Sequence, residues 1–401
     1  MGALDGVKVI DLSHVLAAPF ATMILADLGA EVIKIEPPYG DDSRQFGPFV
    51  EDDLGDQRSG YFISINRNKK SVVLNLKEEK GKEILRDLIS DADVVVENYR
   101  PTTMKKLGFS YKELKKIKED IIYCSICGFG HDALEEYASK PAYDMVAQAY
   151  SGLMSITGPE GGEPCRVGSS IGDIMSGHQA VIGILSALRY RDRTGKGQHV
   201  DMSMVDGLVS VLENAIARYT MAGEIPGPLG GAHPTIVPFQ SFKTKDNYIV
   251  TPIGNDNLWQ KFCQAIEMPE LADDERFRTN PLRAENKGEL ISILAKRLKE
   301  KTTAEWTEIF EEYDLPYSPV NTVDKVVEDK NLKYRDMIVD LEQPGVGKVK
   351  VAGSPFHLSE TPGEIKTHAP AMGEHTDSVL KESLGFSEQE IKEMREKGII
   401  S

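Results

Sequence analysis

Along the first third of the chain, short and almost continuously apolar runs alternate with helical stripes. Val7-Lys8-Val9-Ile10-Asp11-Leu12 reads as a buried strand. The Ala-, Met- and Leu-rich segment after it is opened by Pro19 and closed by Gly29, the expected order of proline at a helix start and glycine past its end. Residues 31–36 return to strand character, so the three pieces form one βαβ unit of about 30 residues. A second cycle runs from Ser71-Val72-Val73-Leu74, through a charged helix with Ile84, Leu85, Leu88 and Ile89 on one stripe, to Val94-Val95-Val96. A third apolar run, residues 121–126, follows a helical stretch over 111–117. Apolar strands alternating with helices predict a parallel sheet with helices on both faces, a Rossmann-like α/β layer.

Two helical segments come next, over 174–189 and 205–221, with His199-Val200-Asp201-Met202 as a strand between them. After Gly223 the character changes. Residues 224–241 are rich in Gly and Pro and read as a linker or binding loop, and residues 239–253, broken at Lys245-Asp246-Asn247, read as a hairpin. An apolar stripe through Ile291, Leu294 and Leu298 and a capping box from Thr302 to Glu305 mark helices of a smaller α+β domain. Strand character returns at Val349-Lys350-Val351, and a last helix is opened by Ser387 with Glu390 three residues on.

The chain has 401 residues, 40% of them hydrophobic, with 47 Lys+Arg against 63 Asp+Glu, a net charge of −16. That composition fits a packed globular protein and excludes a disordered or collagen-like chain. The negative balance argues against nucleic-acid binding, which needs a basic field. No uninterrupted apolar run has membrane-spanning length, and the four cysteines are too few to staple such a chain, so a cytoplasmic protein is expected.

Candidate chemistry is sparse. The first βα turn, Ser13-His14-Val15-Leu16-Ala17-Ala18-Pro19, has no glycine, so a dinucleotide bound at a G-x-G-x-x-G loop is not expected. Cys124 and Cys127 have redox or zinc spacing, but a strand points them to opposite faces, and two buried small residues are the better reading. Gly168-Ser169-Ser170-Ile171-Gly172 matches a nucleophile elbow but lacks room for the strand that should precede it. Asp173 stands just after that passage and before a helix. It is either an N-cap or a nucleophile, kept ionised by the helix N–H groups, with Gly172 and Gly177 leaving room for a substrate. Asn66-Arg67-Asn68-Lys69-Lys70 and the trio Arg100, Lys105 and Lys106 are cationic clusters able to hold phosphates in an otherwise acidic chain.

Read in order, several segments resemble the class III CoA-transferases, the group of formyl-CoA and carnitine CoA-transferases that also includes the α-methylacyl-CoA racemases. They are Leu4-Asp5-Gly6 through Asp11-Leu12, Ala26-Asp27-Leu28-Gly29-Ala30 through Ile35-Glu36-Pro37, Asn66 through Ser71, Val95-Val96-Glu97-Asn98-Tyr99-Arg100-Pro101, Tyr143-Asp144, Gln148-Ala149, Gly152-Leu153, Gly172-Asp173, and Gly373-Glu374-His375-Thr376. The resemblance implies an interlocked, ring-like homodimer. Each subunit would have a large Rossmann-like domain built from both chain ends (1–200 and 326–401), a linker helix (201–224) and a small α+β domain (225–325). It implies coenzyme A or acyl-CoA as substrate, with no tightly bound cofactor and no metal. It makes Asp173 the catalytic carboxylate that attacks the acyl-CoA thioester, giving a mixed anhydride and then an enzyme–CoA thioester. The CoA contacts it implies are His14, Val15, Leu74, Lys77, Asn98, Tyr99, Lys106, Tyr143 and Asp144, with Arg67 and Lys70 added from their charge and the matched motif.

A racemase would need two groups flanking the α-carbon. That branch carries His-Asp where this chain has Tyr143-Asp144, so CoA transfer between a donor acyl-CoA and a carboxylic acid is favoured. A non-catalytic CoA-binding protein is the third reading. Leu16 replaces the glutamine of formyl-CoA transferases, arguing against oxalate and formyl-CoA. Only Gly230-Gly231 represents their glycine-rich loop, and His131-Asp132 follows Gly128-Phe129-Gly130 where the family usually has Gly-Pro.

Overall fold

The structure, a computed structural model, describes residues 2–401. The chain forms two compact units. The larger combines residues up to Leu153 with Arg166–Met221 and Lys330–Ser401, and the smaller combines Met154–Cys165 with Ala222–Asp329.

In the larger unit the strands are β1 (Lys8–Asp11), β2 (Glu31–Glu36), the short hairpin β3–β4 (Phe49–Glu51 and Gln57–Ser59), β5 (Lys69–Val73), β6 (Val94–Glu97), β7 (Ile122–Cys127), β8 (His199–Ser203) and, near the C-terminus, an antiparallel hairpin of Ile338–Gln343 with Gly347–Ala352. Six of these strands make one parallel sheet in the order β5-β2-β1-β6-β7-β8. The chain therefore starts at the centre, builds outward to β5, then crosses back and builds to β8. This reversal between β1 and β6 opens a crevice beyond their carboxyl ends.

Period-two geometry sends neighbouring strand residues to opposite faces. Val9, Val32, Val94 and Val96 pack with the helices Ala17–Asp27 and Ile171–Thr194. Ile10, Ile33 and Val95 pack on the other face with the helix Glu79–Ser90 and the C-terminal helices Thr376–Leu384 and Glu388–Glu396. Each fully buried side chain of this size contributes about 1.5–3 kcal/mol. The C-terminal segment also covers β5, an edge strand that would otherwise expose unpaired N–H groups. The Ser71 N–H donates to His375 Nδ1 (3.3 Å), the Val73 N–H to Thr376 Oγ1 (3.1 Å) and the Asn75 N–H to the Ile399 carbonyl (2.8 Å).

In the smaller unit β9 (Phe239–Lys243), β10 (Tyr248–Pro252) and β11 (Ser318–Pro319) form an antiparallel sheet, with helices packed around Trp259, Phe262, Trp306 and Phe310. The capping boxes at Thr302 and Ser387 are both formed.

Three boundaries differ from the sequence reading. The helix expected over 174–189 spans Ile171–Thr194. Among the described residues it is the one helix long and apolar enough by composition to cross a membrane, yet Gly177, Ala180, Ile184 and Ala187 on it are buried within the larger unit. No linker helix covers 201–224: its start is the last sheet strand, and the remainder is two helices, Met204–Val209 and Asn214–Ala222, interrupted where Glu213 takes a left-handed φ of 54°. Residues 154–165 belong to the smaller unit, where the Gly230 N–H donates to the Gly158 carbonyl (2.8 Å) and Lys287 pairs with Glu160 (3.6 Å).

The sheet's polar centre is charged. Fully buried Lys34 donates to the Ser13 carbonyl (2.7 Å) and pairs with Asp41 (2.8 Å). Fully buried Lys69 reaches Asp11 at 3.2 Å. Burial alone would raise the Asp11 carboxyl, but the charges of Lys69 and Lys34 hold it below its ordinary value. Removing one partner of such a group strands a buried charge at a cost of about 3–5 kcal/mol. Lys34→Met is accordingly expected to destabilise the larger unit by about 3 kcal/mol or more in urea unfolding, whereas exposed Lys105→Met should change stability by less than about 0.5 kcal/mol.

Candidate active site

The turn after β1 is assembled by carboxylate and amide side chains rather than glycines. The His14 N–H donates to Asn98 Oδ1 (2.9 Å) while Asn98 Nδ2 donates back to the His14 carbonyl (2.8 Å), tying the ends of β1 and β6 together. The Val15 N–H donates to Asp41 Oδ1 (3.1 Å), and Val15 sits at φ 65°. A β-branched residue in that left-handed region stores about 1–3 kcal/mol of strain and persists only where its surroundings over-determine it. The turn forms one wall of a cavity of about 500 Å³ whose lining includes His14, Val15, Tyr61, Asn98, Tyr99, Arg100, Cys127, Tyr143, Asp144, Arg166 and Asp173. The His14 ring stacks on Tyr99 with centroids 5.4 Å apart.

Asp173 is the third residue of its helix, with Ser170 at the N-cap. Gly177, one turn on, lies so close to the helix Ala17–Asp27 that a Cβ there would stand 2.8 Å from the Ala17 carbonyl oxygen. This glycine thus makes room for backbone rather than for substrate, and the close approach is accompanied by an Ala17 N–H bond to the Asp173 carboxylate. The helix start does not dominate the charge state as expected. Burial, reinforced by the nearby Asp144 carboxylate, pushes Asp173 up to about 7, and the Ala17 bond offsets only part of this. Asp144 itself accepts from Gln148 Nε2 (2.9 and 2.8 Å) and from the Gly172 N–H (2.8 Å), so it joins the helix Asp144–Tyr150 to the start of the Asp173 helix.

Of the residues expected to contact CoA, His14, Val15, Asn98, Tyr99, Tyr143 and Asp144 line this cavity together with Asp173, and the other five do not. Arg67 is buried, grips Asp27 (2.7 Å) and donates to the Ala352 carbonyl (2.6 Å), so its guanidinium is a structural clamp. Lys70 pairs with Glu31 (2.6 Å) and Leu74 is a buried core residue. Lys77 and Lys106 are exposed, beyond the carboxyl ends of β5 and β6 and outside the cavity lining. The first cationic cluster is therefore consumed within the protein: Arg67 and Lys69 are buried against Asp27 and Asp11, and half-exposed Lys70 pairs with Glu31. Arg100, Lys105 and Lys106 are exposed.

Cys124 is buried as expected, but Cys127, at the end of β7, lines the cavity. No strand precedes Ser170, so the nucleophile-elbow pattern has no elbow. Gly230 and Gly231 lie in the smaller unit, where a Cβ on Gly231 would meet Ser241 Oγ at 2.5 Å.

Sequence reasoning missed Tyr61, Lys140 and Arg166. Tyr61 sits on a short helix, Gly60–Ile65, and burial together with the Asp173 charge lifts its hydroxyl to about 12, so it remains a neutral donor. Arg166 follows a Gly- and Pro-rich stretch; its guanidinium donates to the Val167 and Gly168 carbonyls and lies 3.9 Å from the Asp144 carboxylate. The one available signal was a lone cation in an otherwise uncharged run leading to Asp173.

Residues 4–376 match the family model described as CoA-transferase family III. The chain is 40% identical over 399 residues to the human succinyl-CoA:glutarate CoA-transferase, covering 99% of this chain and 90% of the relative. It is 41% identical to the acetyl-CoA:oxalate CoA-transferase of Acetobacter aceti, covering 95% and 96%. A CAIB/BAIF family protein from Brucella suis superposes with a TM-score of 0.86 at 38% identity, covering 95% of this chain and 99% of that one. The chain belongs to CoA-transferase family III and is an enzyme that transfers CoA between an acyl-CoA and a carboxylate.

Infrared difference spectra of the protein minus Asp173→Asn are expected to show the Asp173 carboxyl titrating near 7. In Asp144→Asn the midpoint should fall, because the like charge is gone; an unmoved midpoint would show that Asp144 does not act on Asp173.

Proposed function

We propose that Asp173 is the nucleophile of the transfer, a reading supported chiefly by its place in the wall of the crevice at the β1–β6 reversal. Its carboxylate oxygen attacks the thioester carbonyl, the C–S bond breaks, and CoA leaves as thiolate from an acyl-aspartyl anhydride. The thiolate then attacks the aspartyl carbonyl and releases the donor acid, leaving an aspartyl–CoA thioester. The acceptor carboxylate attacks that thioester and expels the thiolate again. Attack of the thiolate on the acceptor's acyl carbon frees Asp173 and gives the new acyl-CoA. Each step passes through a tetrahedral oxyanion, so a positioned carboxylate and fixed N–H and O–H donors matter more than a proton carrier. The Ala17 N–H and the Tyr61 hydroxyl are the donors at hand. A carboxylate made more basic by burial is also a better nucleophile while it stays ionised.

CoA is read as lying over His14, Val15, Asn98, Tyr99, Tyr143 and Asp144, its phosphates drawn by Arg100 and by the exposed Lys77 and Lys106, which follow the carboxyl ends of β5 and β6. Arg166 supplies a cation in the same cavity as the nucleophile, which favours substrates with a second carboxylate. Glutarate and oxalate in the relatives' names are such diacids. The subunit is read as an interlocked homodimer; Val209, Val211, Ile216, Tyr219 and Met221, exposed along two consecutive helices and the turn between them, offer apolar surface for a second copy. Four free thiols fit a reducing, cytoplasmic setting.

Asp173→Asn is expected to lower kcat by roughly a thousandfold or more while CoA still binds. A variant that turns over normally would sink the assignment. In the unmodified enzyme only the ionised carboxylate attacks, so kcat/KM should be flat above about 7 and fall as pH drops below it. Arg166→Met should raise KM for diacid acceptors by roughly tenfold and leave monoacids unchanged.

A further inference from the structure

Beside the crevice lies a buried acid that the transfer chemistry does not use. Glu97 ends β6 with its side chain fully buried, and the two residues after it, Asn98 and Tyr99, form the cavity wall. Its Oε2 accepts the Tyr99 N–H (2.7 Å) and its Oε1 accepts the Tyr123 hydroxyl (2.7 Å). Facing Oε1 at 3.5 Å is His131 Nε2, itself buried and without a hydrogen-bond partner among the described residues. His131 follows Gly128 and Phe129, which also line the cavity, so the two groups join two parts of its wall.

We propose that Glu97 is a positioning residue for the coenzyme crevice, fixing the Asn98–Tyr99 wall through the Tyr99 N–H, with His131 as its proton partner on the neighbouring turn.

The groups facing Glu97 are few. Tyr99 follows it on the same segment, Tyr123 and the Cys124 and Cys127 thiols come from β7, Asp201 from β8, and His131 from the turn after β7. Among the described residues no Lys or Arg pairs with it. Burial therefore pushes its carboxyl up to about 7, with Asp201 adding to the rise and the Tyr123 and Tyr99 bonds opposing it. Burial likewise lowers His131, against the Asp201 charge that favours its cationic form and together with His199 of β8, whose ring lies 5.9 Å away. The consequence is geometric. When ionised, Glu97 gives Tyr99 a charge-assisted bond, roughly twice as strong as a neutral one. When it takes a proton on Oε1, that O–H can donate to the lone pair of His131 Nε2. The Tyr99 N–H is then held by a neutral carbonyl, and the bond from Tyr123 weakens. Tyr99 carries the His14 stack and its neighbour Asn98 holds the His14 backbone, so loosening this segment loosens the crevice wall.

The inference rests on the reading that CoA lies in this crevice, and the two are separable. The Kd for CoA would be measured by calorimetry from pH 6 to 8 in the full-length Asp173→Asn protein, which removes the other carboxyl titrating near 7. Adding Glu97→Gln is expected to raise Kd about fivefold above pH 7.5. It should also abolish the weakening that the parent shows below about 7; titration of the ligand's own phosphate is common to both curves and cancels. Adding Tyr123→Phe, which deletes one donor and leaves the Tyr99 bond, should move that inflection to higher pH. This second variant keeps the test open if the first fails to fold. Parallel pH curves in all three proteins would overturn the inference. If Asn98→Ala, a direct change to the wall, also left Kd unaltered, the crevice reading itself would fail instead.

Discussion

One buried lysine holds the architecture of the site together. Lys34 on β2 has no exposed surface, and it contacts the carbonyl of the turn after β1 and the Asp41 carboxylate that in turn accepts the Val15 N–H. A buried ammonium is tolerable only where carboxylates and carbonyls replace its water. Satisfying it draws the turn after β1, the 41–44 segment and the sheet into one arrangement. Asp41 accepts from Ser43, and Glu36 accepts from Arg44 (2.8 and 2.7 Å) and from Ser71 (2.6 Å), extending the network to β5. This network does the work that glycines do in a dinucleotide fold: it holds the backbone at a sharp, strained turn, here with valine at a positive φ.

The nucleophile depends on a second close approach. Gly177 lets the Asp173 helix press against the helix Ala17–Asp27, whose first N–H meets the carboxylate. Asp144, tied to Gly172, fixes the helix start and adds a like charge. Burial and repulsion together outweigh the helix N-terminus, so the carboxyl is poised near neutrality rather than held deeply ionised. The same balance recurs at Glu97, at a strand end beside the cavity and without a Lys or Arg partner among the described residues.

Much of this was legible in the sequence, and the failures have physical causes. The strands were readable because parallel strands buried on both faces are continuous apolar runs. The resemblance, not the alternation with helices, picked out His14, Val15, Asn98 and Tyr99, and they line the crevice at the β1–β6 reversal. The cationic cluster at Arg67 and Lys70 misled because charge in sequence does not say which carboxylate will meet it; Asp27 and Glu31, 40 and 39 residues away, do. Leu74 is hidden in the core, which no local pattern distinguishes from a wall. The boundary at 154–165 was invisible because that segment's partners, Gly230 and Lys287, lie far along the chain. Arg166 was passed over because a single cation in a flexible-looking stretch carries no periodicity.

The central claim is that Asp173 becomes covalently acylated during turnover. The direct test treats the enzyme with an acyl-CoA substrate, traps with hydroxylamine or borohydride, and maps the digest by mass spectrometry. Modification confined to Asp173, dependent on the acyl-CoA and absent in Asp173→Asn, is the expected result. Robust CoA transfer with an unmodified Asp173, or trapping at another residue, would contradict the account.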